Sequence, residues 1–213
     1  MASLFYKDFA HLEKTIDMSH FKKNRREFRD EMLKERLDNR IYSLDNKRKK
    51  INIEESVYNF STSYSGYKII FIKSLNKVGI DIELYKNISV KNIPLFASKE
   101  ELNSLDFEFE SSSILEKATL IWCIKESVGK LFDVGLSKGF DTFKLKEQGG
   151  KIYLATFLNL LCENYINVSY KKFKDFCVII TTFQRCYLNQ EKCFKCSLVD
   201  YSEHKCDKFY KID

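Results

Sequence analysis

The chain reads as an α+β protein, and three observations carry that reading. Short runs with period-two alternation precede residue 84 and return after residue 140, and helical spacing of apolar residues covers 21–37 and about 98–132. The later strands follow one another closely enough to form antiparallel meanders beside those helices. A hydrophobic share of 44% over 213 residues is enough to bury a substantial core, which excludes a disordered chain.

In order along the chain, Phe21, Phe28, Met32 and Leu33 fall at helical intervals, and the opposite face of that helix is mainly basic. Most of the excess behind the formal charge of +6 lies between Lys22 and Lys50, ending in Lys47-Arg-Lys-Lys50. Such a run is either a solvated helix face or an electrostatic collar for a polyanion. Val57 to Ser63 and Tyr67 to Lys73 are expected to form a hairpin turning at Ser65-Gly66. Ser61, Ser63 and Ser65 alternate along it, so they share one strand face, from which hydroxyls can donate to phosphate oxygens.

The stretch Val78-Gly-Ile-Asp-Ile-Glu83 is expected to be a strand that buries Ile80 and Ile82 on one face and displays Asp81 and Glu83 on the other. Two converging carboxylates suit a hard cation such as Mg2+. Alone, the same pair also describes an edge strand with solvated acids. Gly79 allows a backbone or a ligand to approach closely. Ser98 and Glu101 have the spacing of a capping box, and Ser111 to Ser113 separate that helix from one running from about Ile114 to Phe132, closed by Gly135 and Gly139. On the second helix Trp122, Glu126 and Lys130 stand at i, i+4 and i+8, so an aromatic, an acid and a base share a face. Strands are then expected over Phe140 to Lys146, Lys151 to Phe157, Tyr165 to Phe173 and Phe176 to Thr182, with turns at Gly149-Gly150 and Lys174-Asp175.

Bulk features exclude other classes. No run approaches the ~20 apolar residues that span a bilayer, and the first residues lack the apolar core of a secretory signal, so a cytoplasmic protein without membrane association is expected. The seven cysteines are odd in number and irregularly spaced, which reads as mostly reduced thiols. Cys193, Cys196, His204 and Cys206 offer soft zinc ligands, but His204-x-Cys206 is not a usual ligand spacing, and a free-thiol tail is the expectation. His11 and His20 read as surface residues near the basic helix.

The G-I-D-I-E of residues 79–83, followed by Trp122-Cys-Ile-Lys-Glu-Ser-Val-Gly-Lys130, resembles the signature of the 4'-phosphopantetheinyl transferases, specifically their longer, monomeric, surfactin-synthetase-activating type. Three further segments extend the resemblance: Phe60-Ser-Thr-Ser-Tyr-Ser-Gly66, with Tyr64 where the family has His, Leu95-Phe-Ala-Ser-Lys-Glu-Glu-Leu102, and Gly135-Leu-Ser-Lys-Gly-Phe-Asp-Thr-Phe143. It implies two similar lobes of antiparallel sheet and helix, about 1–75 and 76–190, with the ligand in the cleft between them and a tail over 191–213. It implies Mg2+, with Mn2+ as an alternative, on Asp81, Glu83 and Glu126. Coenzyme A is the implied co-substrate, contacted by Ser63, Tyr64, Lys130 and Lys49 or Lys50. Glu126 and Lys130 are the implied catalytic pair, and an apo acyl or peptidyl carrier protein is the implied partner, with no nucleic acid. Two rival readings accompany it: an inactive transferase-like scaffold, and a basic nucleic-acid-binding protein using residues 22–50.

Overall fold

A computed structural model describes residues 3–8, 16–37, 40, 42–104, 113–136, 139–140, 143–148, 151–157, 160–161 and 166–183. The first sheet has five strands in the order β1-β5-β4-β3-β2, all antiparallel: β1 (Ser3–Asp8), β2 (Tyr42–Asp45), β3 (Lys50–Ile53), β4 (Ser56–Ser65) and β5 (Lys68–Ser74). The expected hairpin is its centre, and Gly66, at φ +57°, turns β4 into β5. A second sheet, in the order β10-β11-β6, combines β6 (Val78–Leu84) with β10 (Ile166–Lys172) and β11 (Phe176–Phe183). A third joins β7 (Phe143–Gln148), β8 (Lys151–Phe157) and β9 (Leu160–Leu161).

The expected helix over 21–37 is divided into α1 (Met18–Lys23) and α2 (Arg25–Arg36). The division falls at Asn24, which ends the first helix and begins the second, while the Asp17 carboxylate caps α1 through the His20 N–H. Phe21, Met32 and Leu33 are fully buried, and Phe28 stacks on Phe21, as the spacing predicts. Farther along, α3 (Lys99–Ser104) opens with the expected capping box: Ser98 Oγ accepts from the Glu101 N–H, and Glu101 accepts from the Ser98 N–H. The long helix α4 (Ile114–Leu131) begins at Ser113 with a second such box, closed by Glu116.

Packing follows from alternation. In β5, Ile69 and Phe71 join a cluster with Phe21, Met32 and Leu33 from α1 and α2, while Ile70 and Ile72 pack against Ile80, Ile82, Val178 and Ile180 of the second sheet. The other face of that second sheet, through Cys177 and Ile179, meets Leu120, Ile121, Cys123 and Ile124 of α4. The layers therefore run helix pair, five-stranded sheet, three-stranded sheet, α4, giving the mixed fold with two principal sheet regions. Cys123 and Cys177 are free and buried, their sulfurs 3.6 Å apart. Residues 184–213, including Cys193, Cys196, His204 and Cys206, lie outside the described residues, as do His11 and Gly149-Gly150.

At Gly79 the backbone of α4 lies close against β6. A Cβ there would stand 1.9 Å from the Ser127 carbonyl oxygen and 2.6 Å from Thr181 Oγ1, so the close approach expected at this glycine is made by the helix backbone. Gly79→Ala should therefore destabilise the protein by about 3 kcal/mol, the upper part of the range for overpacking, because backbone rather than a flexible side chain must yield. Urea denaturation measures this, and a loss below about 1 kcal/mol would show that α4 can shift at little cost.

Candidate active site

The strand β6 and the helix α4 bring the predicted acids together, though not on an open face. Asp81, expected to be displayed to solvent, is only 4% exposed, and Glu83 is half-buried. The reason is the layer order: the side of β6 that bears the carboxylates is covered by α4, an element whose position the local alternation of β6 does not encode. Asp81 Oδ1 accepts from the Lys130 ammonium at 2.8 Å and from the Ser63 hydroxyl at 2.6 Å. The same ammonium donates to Ser63 Oγ and to the Ile80 carbonyl, both at 3.0 Å, so its three protons are all engaged. Asp81 Oδ2, by contrast, is buried with no hydrogen-bond partner.

The remaining acids respond to this arrangement. Burial pushes the Glu126 carboxyl above the usual carboxylate range, the Asp81 charge pushes the same way, Lys130 pulls it down, and Glu83 adds a smaller lift. Burial also raises Glu83, against hydrogen bonds from Ser65 and Asn87 that favour its charged form, with Asp81 again adding to the lift. The three carboxylates thus lie within electrostatic reach of one another. Among the described residues, however, no group of three His, Cys, Asp or Glu side chains converges closely enough to hold a metal ion as placed.

Trp122 shares the α4 face with Glu126 and Lys130 but serves as packing, edge-on to Phe96 at 5.1 Å and 4.8 Å from Phe140. Neighbouring strand positions separate Ser63 from Tyr64. Ser63 faces β6, whereas Tyr64 packs into the cluster under α1 and α2, where the Arg25 guanidinium lies 5.3 Å from its ring centre. Lys49 and Lys50 belong to the β2–β3 hairpin. The Lys49 ammonium lies 5.8 Å from the Phe60 ring centre, and Lys50 donates to Asn59 Oδ1 on β4. His20 makes a local contact with Asn24.

Two further residues stand out that no local sequence pattern marks. Arg25 was part of an undifferentiated basic run, yet its Nε is buried without a partner beside Tyr64. Lys125, inside the Trp122 to Lys130 segment, is 3% exposed and donates to the Phe96 carbonyl at 2.7 Å and to the Glu101 carboxylate at 2.9 Å. Glu101 in turn accepts from the Leu145 N–H, so one buried ion pair ties α4 to α3 and β7. Its local signal was the capping box at Ser98, which accounts for only one of the roles of Glu101.

The family model of the 4'-phosphopantetheinyl transferase superfamily matches residues 77–197. The chain belongs to that superfamily. The match begins just before β6 and includes Asp81, Glu83, Glu126 and Lys130, while the β4 segment with Ser63 and Tyr64 lies upstream of it. No curated protein matches the chain. Among the described residues of this transferase-superfamily member, no helix is long and apolar enough to cross a membrane.

Proposed function

We propose that this member of the superfamily transfers the 4'-phosphopantetheine arm of coenzyme A to a serine hydroxyl of an apo acyl or peptidyl carrier protein. The observation that carries this reading is the family match over residues 77–197, which includes Asp81, Glu83 and Glu126, three carboxylates within electrostatic reach of one another, with Asp81 Oδ2 buried and without a hydrogen-bond partner. An all-carboxylate donor set with one oxygen uncommitted fits a hard divalent cation. Asp81, Glu83 and Glu126 would hold Mg2+ or Mn2+, which when bound supplies positive charge to the pyrophosphate of coenzyme A.

The chain's own groups do the rest. The carrier serine oxygen attacks the phosphorus on the pantetheine side, the bond from that phosphorus to the bridging oxygen breaks, and adenosine 3',5'-bisphosphate departs with the electron pair. Glu126 accepts the serine proton. Its raised affinity for protons, a consequence of burial and of Asp81, makes it a stronger base than a solvated Glu once ionised. Lys130 adds fixed positive charge beside Asp81 that favours the polyphosphate and the charge developing on it. Arg25 and Tyr64, with Lys49 and Lys50 on the adjoining hairpin, are suited to the phosphates of the adenosine end. Arg25 supplies there the cation that a tyrosine in place of histidine cannot.

The test is incubation with coenzyme A, Mg2+ and a panel of apo carrier proteins, followed by intact-mass analysis. Addition of one phosphopantetheine to at least one carrier, lost in Asp81→Ala, is the expected result. No addition to any carrier, with the protein folded, would favour the inactive scaffold.

A further inference from the structure

The two acids of β6 are each held from across the sheet interface by a serine of β4. Ser63 Oγ donates to Asp81 Oδ1 at 2.6 Å, and Ser65 Oγ donates to Glu83 Oε1 at 2.7 Å. The serines are two residues apart on their strand and the acids two apart on theirs, so the pairing repeats in register. A serine hydroxyl has a single proton to give, and in both residues it is already given. The lone pairs are engaged too: Ser63 accepts from Lys130, and Ser65 accepts from the Leu84 N–H at 3.0 Å and from Asn87 at 3.2 Å. These hydroxyls have no proton left for a phosphate oxygen, the role their alternation first suggests.

We infer that Ser63 and Ser65 are positioning residues for the cation-binding carboxylates: each fixes one oxygen of Asp81 or Glu83 and so turns the other toward the cation. Asp81 illustrates the consequence, since Oδ1 is committed to Ser63 and Lys130 while Oδ2 is buried and uncommitted. Both held acids are within electrostatic reach of Glu126. The hydrogen bonds are charge-assisted, so they are short and directional enough to select one carboxylate rotamer. Without them, Asp81 is ordered only by Lys130, and Glu83 only by Asn87 and the Leu84 N–H, so a bound cation must supply more of the order itself. The inference rests on the proposed metal-dependent transfer and names what aims its ligands.

The third serine of the alternation provides the control. Ser61 has the same burial on the same strand face, but its hydroxyl accepts from the Ile80 N–H at 3.2 Å and serves the backbone of β6 rather than an acid. The experiment compares Ser61→Ala, Ser63→Ala, Ser65→Ala and Ser65→Thr with the parent. One readout is Mn2+ affinity at saturating coenzyme A, from the free-ion electron paramagnetic resonance signal. The other is coenzyme A affinity without metal, by calorimetry. Ser63→Ala and Ser65→Ala should each weaken Mn2+ binding on the order of ten-fold, the lower end of the effect of removing a partner behind a metal ligand. Coenzyme A affinity without metal should stay within about two-fold, Ser61→Ala should bind Mn2+ like the parent, and Ser65→Thr, which keeps the hydroxyl, should recover most of the loss.

Loss of coenzyme A affinity with Mn2+ affinity intact would overturn the inference in favour of phosphate-binding serines. An equal Mn2+ loss in Ser61→Ala would reduce all three to sheet packing. A parent protein that binds no Mn2+ at all would instead bring down the metal reading itself, a result separable from both by requiring no variant.

Discussion

Replacing Glu126 by Gln should lower carrier-protein modification by about three orders of magnitude, within the range for loss of a general base, and should raise the melting temperature at pH 8. Both effects come from one cause. Burial and the Asp81 charge raise the proton affinity of Glu126 in the folded protein, so folding favours its neutral form. A carboxyl whose folded pKa lies above its unfolded value of about 4.3 adds most to stability at low pH, and that contribution is lost as pH rises through the folded value. Above it, the ionised group opposes folding. Glutamine keeps the shape and removes the charge, so the variant should be more stable by a few degrees, at ~2–4 °C per kcal/mol for a chain of this size. Thermal melts between pH 4 and pH 8 should show the parent's advantage at the acid end shrinking and reversing. Turnover near that of the parent would remove Glu126 from the chemistry. A lower melting temperature across the whole range would mean the carboxylate is stabilised by something other than the groups around it here.

The second large effect is expected at Lys125, where Lys125→Met should cost about 3–5 kcal/mol, the loss typical of removing one partner from a buried ion pair. Glu101 would be left with a carboxylate in a site where it is 5% exposed, and the Phe96 carbonyl would lose its donor. Glu101→Gln in the Lys125→Met background should recover part of the loss, because the uncompensated charge is then gone. Urea titrations of the two single variants and the double would measure this. Losses that simply add would show that the two residues act independently despite the 2.9 Å contact.

Local signals made much of the fold legible. The helix expected from about Ile114 to Phe132 spans Ile114–Leu131, because its apolar spacing is long and bounded by Ser113. The strand Lys151–Phe157 lies where its alternation and the preceding glycines put it. The hairpin at Lys174-Asp175 closes through a bond from the Phe173 N–H to the Phe176 carbonyl. The break at Asn24 was not legible, since no glycine or proline marks it and the apolar spacing continues across it. The pairing of β6 with β11 was not legible either, because a strand's alternation says which side is buried and nothing about which distant strand it will join.

The candidate site divides in the same way. By itself the sequence determined which residues share a face: Asp81 and Glu83 on a strand, Glu126 and Lys130 on a helix, and Ser61, Ser63 and Ser65 on another strand. Those are consequences of periods of two and 3.6, which operate within one element. Only the tertiary structure decided what each face meets. It covered the carboxylates with α4 instead of leaving them to solvent, spent the serine protons on those carboxylates, and turned Tyr64 to the opposite layer beside Arg25. It also made a buried tie of Lys125, a residue type that usually reads as surface. The physical reason is that burial and hydrogen-bond partnership depend on the order in which layers stack, and that order is set by apolar faces far apart in the chain closing on one another.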